Sequence, residues 1–171
     1  HKIYVEPFFG SGAVFFEKGY KDVSNLSEYR EVIGDLDGNV TNFFEQLRTN
    51  APEMEERLSL YEYSEELYRK CKTTSESFQS ASDIDRACMY FFNACNSFGG
   101  KLNSGFAFGK SGENHAQKFK GKRQDLVKFA ERLTDCFIFN NSYDVLIDRF
   151  DSKDTFFYFD PPYKDTTKYD T

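Results

Sequence analysis

The sequence has 171 residues, with 22 Lys and Arg against 28 Asp and Glu, giving a formal charge of −6. At roughly 150 residues per domain this is about one domain with an elaboration, long enough to bury a core. Its 20 Phe and 11 Tyr exclude a disordered chain, no apolar run approaches the roughly 20 residues that span a bilayer, and the acidic total excludes an indiscriminate polyanion binder while leaving room for a local basic patch.

The opening residues, HKIYVEPFFG, carry no signal-peptide pattern. KIYVE reads as a short apolar strand, PFFGSG as a tight glycine turn and AVFFEKGY as an apolar helix. Residues 31–35 form the next strand candidate and run into 39–47, where Val40, Phe43, Phe44 and Leu47 recur at helical spacing. Two strand–turn–helix units in succession predict a doubly wound α/β fold with a parallel sheet covered by helices.

From Pro52 the pattern changes. Residues 53–70 are charge-rich and helical, with Leu58, Tyr61, Leu67 and Tyr68 as candidate buried positions. Residues 84–94 read as a more apolar helix with Ala87, Tyr90, Phe91 and Ala94 inward and Ser82 or Asp83 as its cap. Residues 97–123 are glycine-rich and basic, as expected of an exposed loop or hairpin that touches phosphates. The strand–helix alternation then returns. Residues 124–134 form a helix with Leu126, Val127, Ala130 and Leu133 inward, 136–140 a strand, 143–150 a helix and 155–159 a strand. The expected division is therefore 1–50 with 124–171 as the sheet domain and 51–123 as a mainly helical insertion. Cys71, Cys88, Cys95 and Cys136 include no C-x-x-C pair and no nearby His, which predicts reduced thiols rather than a zinc site or a disulfide frame.

Asp160-Pro161-Pro162-Tyr163 directly follows the last strand, at the edge where open α/β sheets place their ligands. Two prolines fix their own dihedrals and leave their carbonyls as acceptors. A rigid corner with a carboxylate, a carbonyl and an aromatic face suits the exocyclic amino group of a nucleobase. Asp160 and the Pro161 carbonyl can accept its two N–H groups, and Tyr163 can stack on the ring. No metal is needed. Between the first strand and helix, Gly10-Ser11-Gly12 lets the backbone approach a ligand closely. Phe15 leaves the pyrophosphate pattern G-x-G-x-x-G incomplete, which favours a small nucleoside ligand over a dinucleotide. Asp35 ends the second strand about twenty residues on, where doubly wound folds hold ribose hydroxyls. Asp37 is a rival for that role, and either residue could instead cap the following helix.

The ordered set EPFFGSG, GDLD and DPPY resembles the Dam-like, D12 class of DNA adenine-N6 methyltransferases. Phe92-Asn93, Ser97-Phe98-Gly99-Gly100 and 105–109 are similar to a run in that family's target-recognition region. The resemblance implies a Rossmann-like methyltransferase sheet, S-adenosylmethionine as methyl donor (S-adenosylhomocysteine as product) and double-stranded DNA as partner. It also implies a bacterial or phage-encoded cytoplasmic setting, with or without a cognate restriction endonuclease. Glu6, Pro7, Phe8, Gly10, Ser11 and Gly12 then line the methionine end of the cofactor. Asp35 takes the ribose, Ser142 lies beside the cofactor adenine, Asp160 also borders the cofactor, and Asp160 to Tyr163 receive the target base. Asn93, Lys101, Asn103, Lys110, Lys118, Lys120, Lys122 and Arg123 are the candidate DNA contacts. Family members carry a Trp-x-Gly-Gly-Lys-like segment ahead of these residues and further strands after DPPY, which implies a fragment or truncated product. Cytosine-N4 methylation, methylation of RNA or protein, and a non-catalytic DNA-binding remnant remain open alternatives.

Overall fold

The computed structural model describes residues 1–19, 27–108 and 114–162. In chain order the elements are β1 (Ile3–Glu6), α1 (Ala13–Lys18), β2 (Arg30–Gly34), α2 (Gly38–Ser59), α3 (Glu65–Lys70), α4 (Glu76–Gln79), α5 (Asp83–Asn96), a 3-10 turn (Phe98–Gly100), α6 (His115–Gln124), α7 (Leu126–Leu133), β3 (Cys136–Phe139), α8 (Tyr143–Phe150) and β4 (Thr155–Phe157). They divide into two compact units. One comprises the described residues of 1–41 and 135–171, the other those of 42–134.

The first unit is built on β1 and β2, whose Tyr4, Val5, Val32 and Ile33 are buried. Residues buried on both faces of a strand are the mark of a covered parallel sheet. All pairings are parallel, in the order β3-β2-β1-β4. The fold is doubly wound α/β: β2 and β3 lie to one side of β1, and the chain then returns to place β4 on the other. The strand order thus reverses at β1, and such a switch point opens a crevice at the carboxyl ends of the strands. Gly34 is required by packing, since a Cβ there would run into Leu146 of α8. The β1–β4 pairing extends one step past β4, where Tyr158 N donates to Val5 O at 2.9 Å.

The second unit is helical, and the insertion expected at 51–123 lies wholly inside it. Residues 53–70 are not one helix. Their first part continues α2, which kinks at Asn50 (φ −131°) two residues before Pro52, because a proline ring obstructs the carbonyl four residues back. A new helix, α3, starts after Ser64, whose hydroxyl accepts the Leu67 N–H. Ser82 caps α5 in the same way through Asp85 N. The buried face of α5 is rotated from the expected one: Cys88 and Phe92 are inside and Ala94 is exposed. Phe92 packs edge-on against Tyr61 and Phe119 at 5.6 and 5.0 Å. In α7, Leu126, Ala130 and Leu133 are buried, whereas Val127 is exposed.

The basic stretch also differs from the expected loop. Ser97 and Phe106 form an antiparallel bridge, so 97–106 is hairpin-like, but 115–124 is helix α6. Asn114 starts α6 by accepting the Gln117 N–H, and burial of Phe119 anchors it. Among the described residues no helix is long and apolar enough to cross a membrane.

Candidate nucleoside and methyl-transfer site

The candidate residues of the sheet unit gather at the carboxyl edge of the strands. Glu6 is the last residue of β1, Asp35 follows β2 directly, and Asp160 lies three residues past Phe157, the end of β4. Between Glu6 and α1 the chain makes a tight turn, with Gly10 and Gly12 both left-handed (φ +51° and +68°). Gly12 N donates to Phe9 O at 2.8 Å, closing the turn. A Cβ on Gly12 would lie 2.6 Å from the Phe9 ring, whereas Gly10 has open space around the same position. Helix α1 has only six residues, so the turn itself, rather than a helix terminus, is the feature available to a ligand.

Asp35 is tied to that turn. Its Oδ2 accepts the Gly10 N–H and its Oδ1 the Asp37 N–H, both at 2.9 Å. A carboxylate offers about four acceptor positions, so these bonds leave capacity for hydroxyl donors. Burial pushes the Asp35 carboxyl above its ordinary value, against the opposing pull of the N–H donors. Asp37 has a different task. Its Oδ1 accepts the Asn39 N–H at 2.8 Å and its carbonyl takes the Val40 N–H at 3.0 Å, so it sets the entry to α2.

Phe8 joins the remaining segments. Its ring stacks on Tyr143 at 5.3 Å and lies 6.3 Å from Phe159. The glycine turn, the start of α8 and the residue before Asp160 therefore meet through one side chain. Asp160, Pro161 and Pro162 are exposed, as is Ser11, while Pro7 is buried. Tyr163 lies outside the described residues. Ser142 precedes α8, and its hydroxyl holds the Asp144 carboxyl below the ordinary value.

Three contributors were not foreseen from the sequence. Asn140 donates from Nδ2 to the carbonyls of Asp35 and Leu36, both at 3.0 Å, bracing the segment that carries Asp35. Tyr4 donates to Glu6 Oε1. Lys18 reaches Glu31 Oε1 on β2 at 2.6 Å. Only an Asn just past a strand hinted at the first. The other two require knowing which residues share a sheet face.

In the helical unit, Lys101, Lys118, Lys120 and Lys122 are exposed, and Lys110 lies outside the described residues. Asn93, a candidate DNA contact, is fully buried. Its Oδ1 accepts the Asn103 N–H at 2.9 Å. Asn103 (φ +61°) is turned inward too, donating from Nδ2 to Thr73 Oγ1 at 2.7 Å and accepting the Thr73 N–H at 3.0 Å. Arg123 is half-buried, with Nη1 directed at Leu58 O. Through Asn93 Oδ1, Asn103 and Arg123 Nη1 these three tie parts of the unit together, while Asn93 Nδ2 and Arg123 Nε are buried without a partner among the described residues.

A family model described as D12 class N6 adenine-specific DNA methyltransferase matches residues 1–171. The chain belongs to this family. Its sheet is that of a Rossmann-like methyltransferase, and adenine-specific DNA methylation is the activity for which the family is named. The residues present fit the methyl donor that such a family implies. An open glycine at a left-handed turn admits a ligand close to the backbone, a half-buried carboxylate can accept a diol, and a buried carboxylate ends β1.

Proposed function

We propose that this D12-family chain methylates adenine N6 in duplex DNA, with S-adenosylmethionine as donor. The observation that carries this reading is the gathering of Glu6, Gly10, Asp35 and the approach to Asp160 at the carboxyl edge of one parallel sheet, in a chain of this family.

Glu6 and the 7–12 turn would hold the methionyl end of the cofactor, Asp35 the ribose hydroxyls, and the Ser142–Tyr143 region the adenine. When bound, the cofactor supplies an electrophilic methyl group on its sulfonium. The chain's own contribution is to prepare and orient the acceptor. An exocyclic amino nitrogen is a weak nucleophile because its lone pair is conjugated into the ring. Hydrogen bonds from its two N–H groups to the Asp160 carboxylate and the Pro161 carbonyl favour a pyramidal nitrogen with that lone pair available. Stacking on Tyr163 fixes the ring. Proximity and orientation then supply much of the rate. The amino group cannot be reached inside a stacked duplex, so the base must be flipped out.

The 51–123 insertion would act in target recognition. Lys101, Lys118, Lys120 and Lys122 offer charge to phosphates, with Lys110 in the same basic stretch, while Asn93, Asn103 and Arg123 keep the supporting structure in shape. A cytoplasmic setting beside bacterial or phage DNA, with a paired restriction endonuclease or as a solitary enzyme, accords with such a substrate.

The test is incubation of the chain with radiolabelled S-adenosylmethionine and duplex DNA, followed by digestion to nucleosides. Label in N6-methyldeoxyadenosine is expected. Label in N4-methyldeoxycytidine, or duplex binding with no incorporation, would overturn the reading.

A further inference from the structure

Tyr4 and Glu6 are two residues apart on β1 and so share one face of the sheet. They are 2% and 3% exposed, and the Tyr4 hydroxyl donates to Glu6 Oε1. The Tyr4 ring is held on its own account. It stacks on Phe156, its register partner on β4, at 6.0 Å and 11°. Lys18 Nζ stands 4.3 Å from the ring centroid, and Lys18 is itself fixed by Glu31, the residue paired with Tyr4 on β2. Burial raises the phenol's pKa, so it remains a donor across the working pH range. A hydroxyl locked in this way removes rotational freedom from the carboxylate it touches, and a carboxylate held in one orientation binds a cation without a further ordering cost.

We infer that Tyr4 is a positioning residue: by fixing one oxygen of Glu6, it orients that carboxylate for the α-ammonium group of the cofactor's methionyl moiety. The inference rests on the cofactor reading above and adds to it a residue outside the glycine turn.

Tyr4→Phe keeps the ring, its stack and its cation contact while deleting the hydroxyl. The probes are S-adenosylhomocysteine and 5′-methylthioadenosine, which retains the nucleoside and sulfur but lacks the amino acid. By calorimetry on the full chain, Tyr4→Phe should bind S-adenosylhomocysteine about tenfold more weakly, a loss typical of one hydrogen bond to a charged group, with 5′-methylthioadenosine unaffected. Glu6→Gln should show the same selectivity, and adding Tyr4→Phe to it should cost little more, because the two act through one path. Equal weakening of both probes means a merely structural role and overturns the inference. So does unchanged S-adenosylhomocysteine binding, or full additivity with Glu6→Gln. A wild-type chain that binds neither probe removes the cofactor reading itself, which distinguishes that failure from failure of Tyr4 alone.

Discussion

The backbone N–H of Gly10 donates to Asp35 Oδ2 at 2.9 Å, joining the turn after β1 to the end of β2. This bond makes the glycine turn and the ribose-binding candidate one structure, and it has a thermodynamic consequence. Burial is the largest influence on Asp35 and raises its pKa. A carboxyl with a higher pKa in the folded than in the unfolded chain binds its proton more tightly in the fold. Its stabilising contribution is complete below the unfolded pKa and is lost as pH rises through the folded one. Near neutrality, ionised Asp35 therefore works against folding. Asp35→Asn keeps one oxygen for Gly10 but loses the acceptor of the Asp37 N–H. Near neutral pH the variant should therefore lose no more than about 1 kcal/mol of stability, the worth of one hydrogen bond, offset by removal of the buried charge. It should also lack the wild type's gain in stability on acidification through the interval just above the ordinary carboxylate range. Affinity for S-adenosylhomocysteine should fall by about tenfold. Circular dichroism melts across pH, with calorimetry on the same samples, check both expectations.

Gly10 and Gly12 predict different costs for the same substitution. Both are left-handed, which costs a residue with a Cβ about 1 kcal/mol or more. At Gly10 that is the whole penalty, because the space is open. At Gly12 the new carbon also meets the Phe9 ring at 2.6 Å, and displacing a packed ring adds about 1–3 kcal/mol. Urea denaturation should rank the chains as wild type, Gly10→Ala, then Gly12→Ala. Equal losses would mean that Phe9 moves aside freely.

Much of this site was legible because the sequence marks its strand ends with unusual residues. A glycine turn, GDLD and a double proline each restrict the backbone, and each falls where a strand stops. Spacing could not tell the surroundings of Asp35 from those of Asp37, because which carboxylate accepts Gly10 N–H and which accepts Asn39 N–H is a matter of tertiary geometry. The basic stretch misled for a similar reason. Its glycines and lysines suggest a loop, yet one buried Phe119 and an Asn114 cap outweigh the weak helix propensity of 115–124. Asn93 was a candidate DNA contact only through the family resemblance, which carries no information about its burial in this chain. The joining of three distant segments through Phe8 left no local trace at all.

Asp160 should separate catalysis from cofactor binding. It is exposed at the end of the β4 segment, in a rigid corner before two prolines. Replacing it with Ala removes the acceptor proposed for the target amino group and leaves the Gly10–Asp35 arrangement intact. Methyl incorporation into duplex DNA should fall by at least about a hundredfold, the loss expected when a preorganised electrostatic group is removed. S-adenosylhomocysteine affinity should change by much less. Undiminished transfer would remove Asp160 from the mechanism.

The lysines of α6 should act through charge alone. Lys118, Lys120 and Lys122 are exposed, and each phosphate neutralised on duplex DNA adds about 0.9 to the slope of log affinity against log salt. Changing all three to Gln should weaken duplex binding at low salt and flatten that slope by about 2 to 3, measured by fluorescence anisotropy over a salt series. Asn93→Ala makes the contrast. It removes the buried acceptor of the Asn103 N–H, so it should lower unfolding stability by about 1–3 kcal/mol. The slope should stay unchanged in the protein that remains folded. A flattened slope in Asn93→Ala, or an unaltered one in the triple variant, would mean that the duplex is held by some other surface.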